Sequence, residues 1–163
     1  ITKVIKVFIM PYNIFVRAVF PKCAMKKSFK FNVKVGNIMV IYGTLMVFFI
    51  FGYAETIVSY FIEENIKLSV EVFKVMSLSL PLLALTSSRG LLTLVGFNFD
   101  KLFTKGILIS IAFYFLSLIV FYLLNFITVL SLSFLMVLSV LVELLAHTYH
   151  IKLKEIPIGY KQY

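Results

Sequence analysis

Charge, acid and sulfur are scarce in this 163-residue sequence: 14% of residues are charged, seven are acidic and one is cysteine. Ordinary soluble domains carry about a quarter charged residues. The single thiol, Cys23, excludes an internal disulfide and a thiolate metal cluster. No nucleophile elbow, phosphate-cradling glycine loop, paired catalytic carboxylates or metal-ligand spacing occurs, so the residues point to no enzyme, no cofactor and no metal. Nor does the chain open on a signal peptide. It begins at Ile1 without a methionine, a basic n-region or a small-residue cleavage site, and is expected to be a fragment of a longer protein.

Apolar residues fill the space the charges leave. They make up 61% of the chain, and the mean hydropathy is +1.03. A soluble chain of this size has too little interior to hide so much apolar surface. The run from Gly106 to Val142 holds no charge. As one helix it would be roughly 55 Å long, nearly twice the hydrocarbon thickness of a bilayer. It must fold back near Asn125–Thr128, which makes two spans of it.

The spacing predicts an all-α, polytopic transmembrane bundle of about five spans over residues 1–155, with a cytoplasmic tail at 156–163. The spans are placed at about 2–21, 35–54, 72–95, 104–124 and 129–149, each near the ~20 residues needed to cross. Lys3, Lys6, Pro11, Asn13 and Arg17 interrupt the first, which is the weakest.

The net charge of +9 does not imply nucleic acid, because the lysines cluster between apolar runs and line no polar face. Lys22, Lys26, Lys27, Lys30 and Lys34 lie between spans one and two, with no acid among them. Lys101 and Lys105 follow span three, and Lys152, Lys154 and Lys161 follow span five. The alternate connections hold Glu55, Glu63, Glu64 and Glu71 against Lys67, or almost no charge. An alternating topology puts all three basic connections on one side, as the positive-inside rule requires, so the C-terminus is expected in the cytoplasm and the N-terminus outside. Cys23, at the head of the first basic loop, should then be open to thiol reagents from the cytoplasm.

Several segments, in order, resemble a known family. "NIFVRAVFPKCAMKKSF" is similar to the end of the eighth helix of polysaccharide flippases, where an apolar run closes on F-P-[KR]. "FGYAETIVSYFIEE" resembles that family's F-A-E-x-I-[IV] segment with trailing acids. "VFKVMSLSLPLLALTSSRG" looks like its tenth helix, "LVGFNFDKLFTKG" like the loop after it, and "LSVLVELLA" like its last helix. The family is the Wzx-type O-antigen or capsule-unit flippases of the multidrug/oligosaccharidyl-lipid/polysaccharide exporter superfamily. Ser131, Leu132 and Ser133 stand where its last helix often opens with Gly and Ala, a departure that bears on the subfamily.

The resemblance implies a twelve-helix transporter of two six-helix lobes, with this chain supplying helices eight to twelve. It also implies a bacterial inner membrane and a substrate of undecaprenyl-pyrophosphate-linked oligosaccharide. The implied partners are the lipid bilayer, the missing N-terminal lobe and the polysaccharide polymerase machinery. Two alternatives stay open: a cation-coupled multidrug exporter of the same superfamily, and a membrane scaffold subunit without transport.

Four sets of residues are candidates for function. Arg89 sits within the third apolar run, where a charge costs about 2.5 to 3.5 kcal/mol on insertion scales. Either it snorkels to the basic end or it faces an aqueous cavity and binds a pyrophosphate bidentately. Lys3 and Lys6, at the outer end of span one, either anchor at the interface or line that cavity. Glu143 and His147, four apart on one face of span five, form a proton relay or a packing hydrogen bond. Pro81 is expected to kink span three as a gate element.

Overall fold

Long apolar stretches broken by short polar turns can satisfy their backbone in a bilayer only as helices, and those among the described residues are helical. The computed structural model describes residues 2–26, 28–61 and 65–153, without the side chains of residues 2–4. Glu63, Glu64 and the tail expected at 156–163 therefore lie outside the described residues. The helices are α1 (Thr2–Lys26), α2 (Phe29–Ser59), α3 (Ile66–Ser77), α4 (Ser79–Ser87), α5 (Asp100–Leu123) and α6 (Val129–Leu153), with a π-helical segment, Ser88–Val95, continuing from α4. Among the described residues there is no strand. Five stretches are long and apolar enough to cross a membrane: Ile5–Lys26, Phe29–Ser59, Ile66–Val95, Asp100–Leu123 and Val129–Leu153.

The third of these is the central column. Half of its most apolar window is buried, against 28% or less in the other four. Every other helix packs on some part of it. Its partner α2 runs antiparallel to it through two glycines. At Gly43 an added Cβ would lie 2.9 Å from the backbone nitrogen of Pro81, and at Gly36 one would lie 2.7 Å from the Cβ of Ser88. Small residues let two membrane helices approach this closely, and packing takes the place of a hydrophobic driving force. On the other side, α5 and α6 form an antiparallel hairpin, in which Ser110 donates to the carbonyl of Ser139 at 2.7 Å.

Two clusters mark the ends of the bundle. Ile5, Val58, Val70 and Phe73, with Leu130, gather at one end. Leu94 and Ile151, with Phe29, Phe99 and Phe103, gather at the other. The second cluster lies where the basic connections 22–34, 101–105 and 152 meet, so the lysine groups do share one end. Lys67 and Lys74 are at the opposite end, and the Lys74 ammonium stands 5.9 Å from the centre of the Phe51 ring.

Three expectations need correction. Most of the basic loop after span one is helical: α1 continues to Lys26 and α2 starts at Phe29, where Ser28 Oγ caps the Phe31 N–H at 3.4 Å. Lys22, Lys26, Lys30 and Lys34 are thus carried on helix ends that project past the apolar part. Pro11 and Pro21 do not break α1. Both are exposed on its outer surface, away from the packed core. Finally, Cys23 is fully buried, among Val35, Ala84 and Leu92. The sequence places it in the correct end but cannot reveal that α1 turns it inward.

Pro81 lies three residues after the break in the third span. It has no N–H to offer the carbonyl of Ser77, and the helix breaks at Leu78, whose N–H bonds back only three residues, to Val75 at 3.1 Å. The Ser77 and Ser79 hydroxyls donate to the carbonyls of Lys74 and Met76, both at 2.6 Å. These bonds give carbonyls beside the break a donor.

Candidate functional site

The site begins with a change of helical register. From Ser88 the backbone bonds run five residues apart, and the Thr93 hydroxyl adds a bond to the carbonyl of Ser88 at 2.8 Å. Such π-helical turns are rare and recur at functional sites. Arg89 is the second residue of this segment. Its guanidinium donates to the Thr148 hydroxyl of α6. Together with Lys152, Asn37, Ser88, Thr93 and Thr148 it lines a cavity of about 200 Å³ between α2, the π-helical segment and α6. Among the described residues no acid lines this cavity. Phe29, Ile151 and Lys152 on its lining put it at the lysine-rich end.

Arg89, for which two readings are open, lines this cavity at the basic end. The side chain is partly buried and directed to α6. Its partner is not Asp100, which is exposed and heads α5. Lys6 is exposed on α1 and does not line this cavity. The side chain of Lys3 lies outside the described residues.

His147 is placed differently from either expectation for the Glu143–His147 pair. Its ring is fully buried, stacked on Phe103 with centroids 5.3 Å apart, and Nε2 meets the Phe103 carbonyl at 3.2 Å. Nδ1 lies near the Thr86 backbone but has no hydrogen bond of good geometry. The ring fits because the facing residues are glycines. A Cβ on Gly90 would lie 2.7 Å from it, and one on Gly106 would collide with it as well. His147 therefore wedges α5, α6 and the π-helical segment together. Glu143 is partly buried, and among the described residues it makes no hydrogen bond, to His147 or to any other group. The side chains that hold the wedge are those of Phe103 and His147, so Glu143→Gln should leave folded yield within about twofold of wild type, as substitutions away from a network do. The folded fraction in membranes checks this, and a large loss would mean that Glu143 takes part in the wedge.

Sequence reasoning overlooks Asn32, Thr148 and the glycines around His147. Asn32 is fully buried, and its side-chain amide donates to the Leu92 carbonyl at 2.7 Å. The one available signal is its spacing: Asn32, Gly36 and Gly43 fall on the face of α2 that meets the central column. Likewise Ser88 and Thr93, five apart, match a π-helical repeat and no α-helical one.

These features define a class. The chain is an all-α, multi-pass membrane protein whose central span carries an arginine, on a π-helical turn, into a basic cavity. It matches no protein-family model, no curated protein and no solved structure.

Proposed function

We propose that this chain is the C-terminal part of a Wzx-type flippase that moves undecaprenyl-pyrophosphate-linked oligosaccharides outward across the bacterial inner membrane, for O-antigen, capsule or exopolysaccharide synthesis. The observation that carries the proposal is the basic cavity itself. Arg89 and Lys152 line a space of about 200 Å³ with the hydroxyls of Ser88, Thr93 and Thr148 and with no described acid. A guanidinium offers a planar fork to phosphate oxygens, an ammonium offers a point charge, and hydroxyls supply further donors. A site of that composition selects an anion. A cation-coupled drug exporter would need a carboxylate there, and Glu143 does not line the cavity.

On this proposal the lysine-rich end faces the cytoplasm, where the pyrophosphate headgroup enters, and the break at Leu78 lets the column bend as two lobes rock. The test is complementation. In a strain lacking its flippase, the longer protein containing this chain should restore surface glycan and clear the lipid-linked units that accumulate inside. Persistent accumulation at normal protein level would refute transport of this substrate.

Orientation has its own test, for which the buried Cys23 is unsuitable. Met25 is 77% exposed at the same end. With Cys23→Ser as background, Met25→Cys should react with a membrane-impermeant maleimide in inverted vesicles and stay unreacted in intact spheroplasts. Reaction in spheroplasts would reverse the topology.

A further inference from the structure

Where the π-helical segment ends, in the turn at Gly96–Asn98, the bonding shifts register and leaves one carbonyl without a backbone donor. Here that carbonyl is identifiable. The Gly96 N–H bonds to Leu91 at 3.3 Å, five residues back, while the Phe97 N–H bonds to Thr93 at 2.9 Å, four residues back. The carbonyl of Leu92 is skipped. An orphaned carbonyl in a buried, water-free position is costly and needs a partner from elsewhere. Asn32 supplies it, since its Nδ2 donates to the Leu92 carbonyl at 2.7 Å.

The same residue also holds the start of the segment. The Ser88 hydroxyl donates to the backbone carbonyl of Asn32 at 3.3 Å. Asn32 is thus bonded to both Ser88 and Leu92 of the segment, across some sixty residues of sequence. Its side chain is held there at a cost, because Oδ1 is buried without a partner. Packing alone would favour an apolar residue at such a position.

We infer that Asn32 is a positioning residue for Arg89: its amide caps the carbonyl orphaned where the π-helical segment ends, and so fixes the register that turns Arg89 toward Thr148 and the cavity. Without that donor the Leu92 carbonyl has one nearby substitute, the Gly96 N–H four residues on. Taking it converts the end of the segment to α-helix. Residues 88–95 then rotate relative to α6, and Arg89 leaves Thr148. Only the effect on export rests on the flippase proposal, because the register can be read without transport.

The test uses the purified chain in nanodiscs, labelled with [13C]carbonyl-valine and [15N]glycine. Val35–Gly36 and Val95–Gly96 are the only Val–Gly pairs in the sequence, so two amide signals are selected and one is Gly96. In wild type the Gly96 N–H is shared between the Leu91 carbonyl, at 3.3 Å, and the Thr93 carbonyl, and should exchange faster than it would in one well-aligned bond. In Asn32→Ala it should move to the Leu92 carbonyl and exchange about tenfold more slowly, the factor expected for gaining a hydrogen bond of ordinary strength. Asn32→Leu is close in size and has no donor, and should give the same slowing if Asn32→Ala does not fold. Ser88→Ala, which leaves the Leu92 cap in place, should give less slowing than either. Export should fall in the Asn32 variants as it does in Arg89→Ala. Unchanged Gly96 exchange in a folded Asn32 variant would overturn the assignment, whether or not export falls. Slowed exchange with normal export would keep the positioning role and count against the cavity as the transport site.

Discussion

Arg89→Ala is expected to abolish export while the protein still inserts and folds. The guanidinium is the cavity's central cation, and its replacement leaves Lys152 as the remaining charge on the lining. Nothing structural is orphaned by the change, because the Thr148 hydroxyl already donates to the Leu144 carbonyl at 2.7 Å. Insertion should even improve, since a charge within a span costs about 2.5 to 3.5 kcal/mol at the helix centre. Arg89→Lys should retain part of the activity, keeping the charge and losing the bidentate fork. Arg89→Glu should be as inactive as the alanine variant. A residue that merely snorkelled would behave otherwise: its alanine variant would export normally, because Lys101 and Lys105 still anchor that end. Lipid-linked glycan export at matched expression separates the two outcomes.

The largest effects on stability are expected at the glycines of the central column. Gly43 faces backbone, with the Pro81 nitrogen and Cα 2.9 and 3.0 Å from where a Cβ would be. Backbone cannot rotate aside, so Gly43→Ala should cost about 3 kcal/mol, the upper end for overpacking. Gly90 faces side chains, the His147 ring at 2.7 Å and the Phe103 ring at 2.9 Å. Gly90→Ala should be comparably damaging alone, but His147→Ala in the same chain should recover part of the loss by opening the space. Gly52 has nothing within 4 Å of its added Cβ, and Gly52→Ala is the matched control, near neutral. Denaturation midpoints in detergent rank these variants. Equal loss at Gly52 and Gly43 would mean that the close crossing with Pro81 does not set the cost, since helix propensity favours alanine at both positions.

The pattern of legible and illegible features follows from where each signal resides. Span number, the turn at Asn125–Thr128, the shared end of the lysine groups and the break near Pro81 are all local: run length, charge between runs, and a missing N–H. The orientation of Cys23 is not local, since burial depends on the angle at which α1 crosses the column. The register of Ser88–Val95 is less local still. Its stabilising donor, Asn32, comes from another helix, and the bond it makes depends on the two glycines that bring α2 close. Glu143 and His147 share a face of α6, as their spacing requires. That spacing says nothing of Gly90 and Gly106, which admit the ring and fix its contact to the Phe103 carbonyl. Arg89 is where local and distant signals meet: its cost in a membrane marks it in the sequence, and only the fold gives it Thr148 and a cavity.

The most direct measurement is transport itself, with the longer protein that contains this chain reconstituted in proteoliposomes and a fluorescent polyprenyl-pyrophosphate oligosaccharide as substrate. Wild type should carry the headgroup across the bilayer, free pyrophosphate should compete, and Arg89→Ala should be inactive at equal incorporation. Absence of movement by wild type, or equal movement by wild type and Arg89→Ala, would contradict a flippase built around this arginine.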